Sequence, residues 1–324
     1  MVKELTVYKY LGIEFNKNCT FEEFKSRVLD KARKNILGSF GSTKGSLSVG
    51  ANITLWEGVI RTGMEYGAEI WGEGQWEEAE MIQREVGRRI LGCSKMTSNA
   101  AVRGELGWWS LSTRREFLML KYWLGILLMK EERLVRAVYN QSKREYTYRR
   151  RRNWVKKIHF LACKYGLDYL WTSENKVWDI PMEDRSAAGV KKFWVKEIFN
   201  VIHRREEEEW RKELESKSKL RKYKNFKSEL KLESYLKLEE DKLGRHWWTA
   251  LRTGTNRLRI ETGRWKGESV NERYCTACMS GEVEDERHFM VISKAYENLR
   301  KEFQEMRLYR EGNGAWKVFL QNHT

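Results

Sequence analysis

Thr113-Arg-Arg-Glu-Phe-Leu-Met-Leu-Lys-Tyr-Trp-Leu-Gly-Ile-Leu-Leu-Met-Lys130 contains the most apolar stretch of this 324-residue chain. Thr113 can cap a helix that begins beside it. Phe117 to Met129 is interrupted by Lys121 and is shorter than the ~18 apolar residues that a spanning helix needs. The stretch therefore predicts a buried helix at the centre of the N-terminal half, and no membrane partner.

Working outward, a single proline leaves nearly every segment free to be helical. With 41% hydrophobic and 13% aromatic residues, the chain can bury a substantial core as one or two domains. The expected fold is mainly α: a short N-terminal β-strand or hairpin, a helical bundle, a basic helical connector and a small C-terminal Cys/His module. Residues 5–15 alternate and carry β-branched and aromatic side chains, the clearest strand signal. Thr20 and Glu23 resemble a capping box, and Phe21, Phe24, Val28, Ala32 and Ile36 recur at helical spacing. Residues 47–66 and 76–91 read as further helices broken at Gly72 and Gly74.

Formal net charge is +16, spread along the chain, which favours a polyanionic partner. From residue 139 the composition turns basic: Lys143, Arg144, Arg149, Arg150, Arg151, Arg152, Lys156 and Lys157, interleaved with aromatic residues including Trp154. Guanidinium forks pair with phosphates and rings stack on unpaired bases, so the mixture suits RNA or DNA. The bland readings are a solvated helical face or a nuclear-import signal. Residues 187–243 read as one or two long helices in a solvated or partly disordered connector. A second basic and aromatic cluster holds Arg252, Arg257, Arg259, Arg264, Trp265 and Lys266. These shifts divide the chain into 1–138, 139–244 and 245–324.

That second cluster leads into Cys275-Thr-Ala-Cys278, with His288 ten residues beyond. Two thiolates from a tight turn and an imidazole can share one tetrahedral zinc ion. A fourth ligand four or five residues after His288 would close the site, but Ile292 and Ser293 stand there. Glu282, Glu284, Asp285 or the distant His323 could substitute. Two readings stand: zinc on three ligands with the fourth missing, or a metal-free loop with two free thiols. Cys19, Cys93 and Cys163 receive no role. The five cysteines form no disulfide framework and no apolar segment follows Met1, so an intracellular, reducing compartment is expected.

Tyr10-Leu-Gly-Ile13, Glu65-Tyr-Gly-Ala-Glu-Ile-Trp71, Gln83-Arg84, Ile90-Leu-Gly92 and Gly104-Glu-Leu-Gly-Trp108 together resemble, in order, the region after the palm in non-LTR (LINE-type) retrotransposon reverse transcriptases. Leu251-Arg-Thr-Gly254, Leu258, Gly263-Arg-Trp265, Arg273-Tyr-Cys275, Glu284-Asp-Glu286, His288-Phe289 and Tyr296 to Arg300 resemble the cysteine-containing tail of the same polyproteins. The resemblance covers residues 5 to about 130 and 245 to 300. It implies thumb-like helices followed by a degenerate zinc knuckle, with Ser293 where the family has a cysteine. It also implies that fingers, most of the palm and the endonuclease lie outside this chain.

In-line phosphoryl transfer needs metal ions held by carboxylates, and the family's palm uses an adjacent Asp-Asp pair. This chain has none. Nor does it carry a Gly-Lys-Ser/Thr phosphate loop or a suggested Ser-His-Asp arrangement, so no catalytic residue and no small-molecule substrate is expected. The expectation is a non-enzymatic, RNA- or DNA-binding remnant of such a polymerase. The alternatives are a helical protein-interaction scaffold or decaying fragment, and a polymerase fragment that needs a separate palm domain. Protein partners remain open.

Overall fold

The computed structural model describes residues 7–18, 20–42, 47–149, 154–181, 183, 186–238 and 242–301. They are mainly helical, with one two-stranded sheet among them. The chain divides into two compact units: Met1–Leu47, Ala51–Val86 and Trp109–Trp210 form the first, and Ser48–Gly50, Gly87–Trp108 and Arg211–Thr324 the second. The composition change at residue 139 falls inside the first unit. Among the described residues no helix is long and apolar enough to cross a membrane.

The first unit opens with the expected hairpin, Val7–Tyr10 antiparallel to Ile13–Asn16 with Tyr10 opposite Ile13. Leu11 and Gly12 both have positive φ, 46° and 86°, as a two-residue turn that follows strand twist requires. Leucine resists that conformation. Tyr66 Oη donates to Leu11 O at 2.7 Å and Arg27 donates to Gly12 O at 3.0 Å, which ties the turn down. Ile13 is buried against Gly67, where a Cβ would lie 2.4 Å from Ile13 Cδ1. That close approach explains the glycine between Tyr66 and Ala68.

Helix Glu22–Ser42 follows, burying Phe24, Leu29, Ala32 and Ile36. Its entry differs from the expected Thr20–Glu23 box. Phe21 takes a positive φ of 58° directly before the helix, so Thr20 stands one residue too early to cap it. Asn16 organises the turn instead, donating to Thr20 Oγ1 and Glu23 Oε2 and accepting from Thr20 N.

The apolar stretch around residue 113 forms helix Leu111–Leu127, which buries Met119, Leu120, Trp123, Leu124 and Leu127. Its cap is Ser110, whose side chain accepts from Thr113 N at 3.1 Å. Thr113 is inside the helix and buried, donating to Glu206 Oε2. The two arginines before the apolar run serve the core. Arg114 grips Glu65 through two bonds of 2.9 and 3.2 Å, and the fully buried Arg115 donates to Gly72 O and Gly74 O.

Helix Ala187–Glu215 corrects the expectation of a solvated connector. Val190, Trp194, Ile198 and Ile202, four apart, are buried on one face. Trp194 donates to Val177 O at 2.7 Å, and Trp109 stacks on Phe199 and His203. Most of the charged residues occupy the other faces, while Glu206 is buried and accepts from Ser110 N and Thr113 Oγ1.

In the second unit, helix Asn99–Leu106 ends at Gly107 with φ 67°. A Cβ there would lie 2.4 Å from Leu232 N, because residues 105–107 run against the 231–233 backbone, with Glu233 N donating to Glu105 O. Around this contact Glu105, fully buried, takes Arg252 Nε and Nη2 at 3.0–3.2 Å and Tyr235 Oη at 2.7 Å. Arg252 also reaches Glu233 at 2.9 Å and lies 4.4 Å over the Phe226 ring.

Candidate metal centre and basic surface

The Cys/His module lies within the second unit. Helix Arg259–Trp265 leads to a short turn, Val270–Glu272, closed by a reciprocal cap between Ser269 and Glu272. Arg273 then anchors the chain: its guanidinium donates to Ile260 O at 2.7 Å and to Glu268 O. Tyr274 pairs with Val283, and Cys275 N donates to Glu282 O at 2.8 Å. Between them Met279 and Gly281 adopt positive φ, 52° and 75°, and fold the Cys-x-x-Cys segment into a knuckle.

The turn His288–Ile292 returns the chain over this knuckle. The Cys275 and Cys278 sulfurs and a His288 ring nitrogen lie within 4.8 Å of one another, with Cys278 Sγ 3.2 Å from His288 Nε2. Glu282 holds the other ring nitrogen, Nδ1, at 3.0 Å. A carboxylate on the far nitrogen fixes the tautomer that presents Nε2 to a metal and raises its basicity. Sequence reasoning offered Glu282 as a fourth ligand; its place behind His288 gives it this supporting role.

The two thiols are not equivalent. The Ser280 hydroxyl, 3.2 Å from Cys278, together with Ser293 pushes the Cys278 pKa down to about 6, with His288 adding to the effect. Burial pushes Cys275 up, with Glu284 nearby adding to it. Ser293 is buried, and its hydroxyl faces Cys278 without making a hydrogen bond of ordinary geometry. One ready thiolate, a second thiol, an oriented imidazole and an orphaned buried hydroxyl suit a soft-to-borderline ion such as zinc. The remaining candidates stand as follows. Glu284 Oε1 is 3.5 Å from Cys275 Sγ, Asp285 caps His288 N at 2.8 Å, and His323 lies outside the described residues.

The basic residues separate into two groups. Several are engaged inside the protein. Lys143 pairs with Glu174 and donates to Trp171 O. Trp154 is half-buried and donates to Glu69 O, with its ring against Tyr122. Lys157 pairs with Glu73, Arg259 with Glu268 at 2.6 Å, and Arg264 with Glu261 at 3.0 Å. Arg252 departs most plainly from the expected surface placement: it is buried and paired with Glu105. Arg144, Lys156, Arg257 and Lys266 are exposed, and Trp265 is 62% exposed. Arg149 offers no described side chain, and Arg150, Arg151 and Arg152 lie outside the described residues.

Sequence reasoning passed over Tyr274, which is 48% exposed beside Cys275. It belongs to the same small module as Trp265, since a Cβ on Gly263 would come 2.6 Å from Arg273 Cγ. The sequence signal was a Tyr directly before Cys275, at the end of the basic and aromatic run that leads into the Cys-x-x-Cys turn.

No family model matches the chain, and no solved structure matches it significantly. Over 103 residues, 30% of the chain, it is 24% identical to a protein of Drosophila melanogaster described as a probable RNA-directed DNA polymerase from transposon X-element. The match spans 11% of that protein's length. Over that segment the chain is distantly similar to a protein described as a retrotransposon RNA-directed DNA polymerase.

Proposed function

We propose that this chain is a non-polymerising, nucleic-acid-binding part of a retrotransposon reverse transcriptase lineage, whose C-terminal module holds zinc through Cys275, Cys278 and His288. The observation that carries the reading is the convergence of those three donors on a module that exposes Trp265, Tyr274, Arg257 and Lys266. Exposed rings stack on bases that a duplex would hide, and adjacent cations neutralise the backbone. Single-stranded RNA or DNA is therefore the favoured partner. When bound, zinc supplies a cross-link between the knuckle and the 288–292 turn. The absence of an Asp-Asp pair supports the non-enzymatic side of the reading.

The test is affinity of the full chain for single-stranded RNA, single-stranded DNA and duplex DNA as salt is raised. The expected result is a log-log slope of about −0.7 per phosphate contact on single strands, with a single-strand preference that persists at high salt. Negligible binding at low salt refutes the proposal and leaves a scaffold.

One observation favours a second reading, a polymerase fragment completed by a separate palm domain. Val59, Ile70 and Met81 on the helices of residues 49–91 and Tyr66 in a turn between them are exposed, and every residue of strand Val7–Tyr10 is exposed. Apolar surface of this kind fits a partner domain. Primer extension with a palm supplied in trans, absent from either piece alone, would select this reading.

A further inference from the structure

We infer that Ser293 shapes the fourth place of the metal centre as an open position, one that takes an exchangeable nitrogen or oxygen donor from outside the chain. The inference rests on the zinc reading above and concerns what completes the site.

Ser293 is held firmly. Its N–H donates to His288 O at 2.8 Å, and its carbonyl accepts from Arg300 Nη2 at 2.7 Å. These bonds hold the Ser293 backbone beside His288, and its side chain faces Cys278. The residue is 1% exposed and its hydroxyl has no hydrogen-bond partner of ordinary geometry. A hydroxyl left this way is costly unless something else uses it.

The alternative donors have other tasks. Glu282 holds His288 Nδ1 at 3.0 Å. Asp285 caps His288 N with one oxygen and faces Lys222 with the other at 3.5 Å. Glu284 accepts from Arg259 N at 2.9 Å and from Tyr296 Oη at 3.4 Å, and its carboxylate approaches Cys275 from outside the three-donor cluster. Ser293 is left as the buried polar group at the site whose hydroxyl faces only Cys278 and makes no hydrogen bond of ordinary geometry.

A neutral hydroxyl is a poor zinc ligand beside thiolate, imidazole and carboxylate, so Ser293 does not close the tetrahedron as a cysteine would. Three strong protein donors with one position left for solvent or a small ligand is the donor count of exchangeable zinc sites, whereas four protein donors mark closed structural ones. Ser293 can accept or donate one hydrogen bond to whatever occupies that position.

The experiment uses the full chain under reducing conditions with Co2+ in place of zinc, followed by visible and near-ultraviolet absorption. Wild type should show thiolate-to-metal absorption of two-thiolate strength and visible bands that shift saturably on adding imidazole. S293C should raise the thiolate absorption by roughly 1.5-fold, three thiolates against two, and abolish the imidazole response. S293A, checked for fold by circular dichroism, should keep the two-thiolate band and the imidazole response, and it preserves the test if S293C misfolds. No thiolate band in wild type overturns the zinc reading itself. A band that ignores imidazole and changes instead in E284Q overturns only the present inference, because Glu284 then completes the site.

Discussion

Replacing Arg252 with alanine separates a structural arginine from a nucleic-acid contact more sharply than any other single change. The guanidinium makes bonds of 3.0–3.2 Å to Glu105 and 2.9 Å to Glu233, and covers Phe226 at 4.4 Å. Burial alone lowers the Arg252 pKa, but the field of Glu105, Tyr235 and Glu233 overcomes this and holds it above its ordinary value. Arg252→Ala leaves Glu105 fully buried without its guanidinium partner, with Tyr235 Oη still donating to it. Stranding one partner of a buried pair costs about 3–5 kcal/mol. That is a large share of the ~5–15 kcal/mol that holds an ordinary domain together. At a urea m-value near ~2 kcal/mol/M, the midpoint for the second unit should fall by about 2 M. The double replacement of Glu105 by Leu and Arg252 by Met should cost less than Arg252→Ala, because it strands no charge. The assay is urea unfolding of the full chain by circular dichroism, beside nucleic-acid affinity. An unchanged midpoint together with weakened binding would refute the buried-pair argument and return Arg252 to the phosphate-contact set.

Three further outcomes follow from local geometry. Gly107→Ala should destabilise the second unit by about 1–2 kcal/mol from its φ of 67° alone, and by more from the 2.4 Å approach of Leu232 N; Gly58→Ala, with open space at its Cβ inside a helical stretch, should be neutral or stabilising by up to ~1 kcal/mol, both read from unfolding midpoints. In the metal-free chain Cys278 should be alkylated first among Cys93, Cys275 and Cys278. Its thiolate is depleted below about pH 6 and populated above it, so the rate should climb through that range, and zinc should suppress the reaction; modification of Cys275 first, or a rate flat from pH 5 to 8, would count against the assigned environment.

Much of this protein was legible without coordinates because its signals are local. The hairpin at residues 5–15, the buried helix after residue 110 and the Cys-x-x-Cys turn each follow from short-range pattern, and the structure holds all three. Capping was misplaced at two helices, for a different reason at each. Thr20 and Thr113 both have the right chemistry, but Phe21 turns left-handed after the first, and Glu206, 93 residues away, claims the second.

Charge was the less faithful guide. Composition shows how many arginines and lysines the chain carries, and not which carboxylate each will meet. Arg252 and Glu105 are 147 residues apart, Lys143 and Glu174 are 31 apart, and their pairing is fixed only when distant segments pack. The same holds at the candidate metal centre. Spacing alone identified Cys275, Cys278 and His288, since a tight turn and a ten-residue return can bring them together. The parts played by Glu282 behind the imidazole and Ser293 beside the thiolate depend on side-chain directions set by the folded knuckle. Sequence determined the helical class, the basic character and the donor types. Tertiary packing decided which charges are spent inside the protein and which face outward.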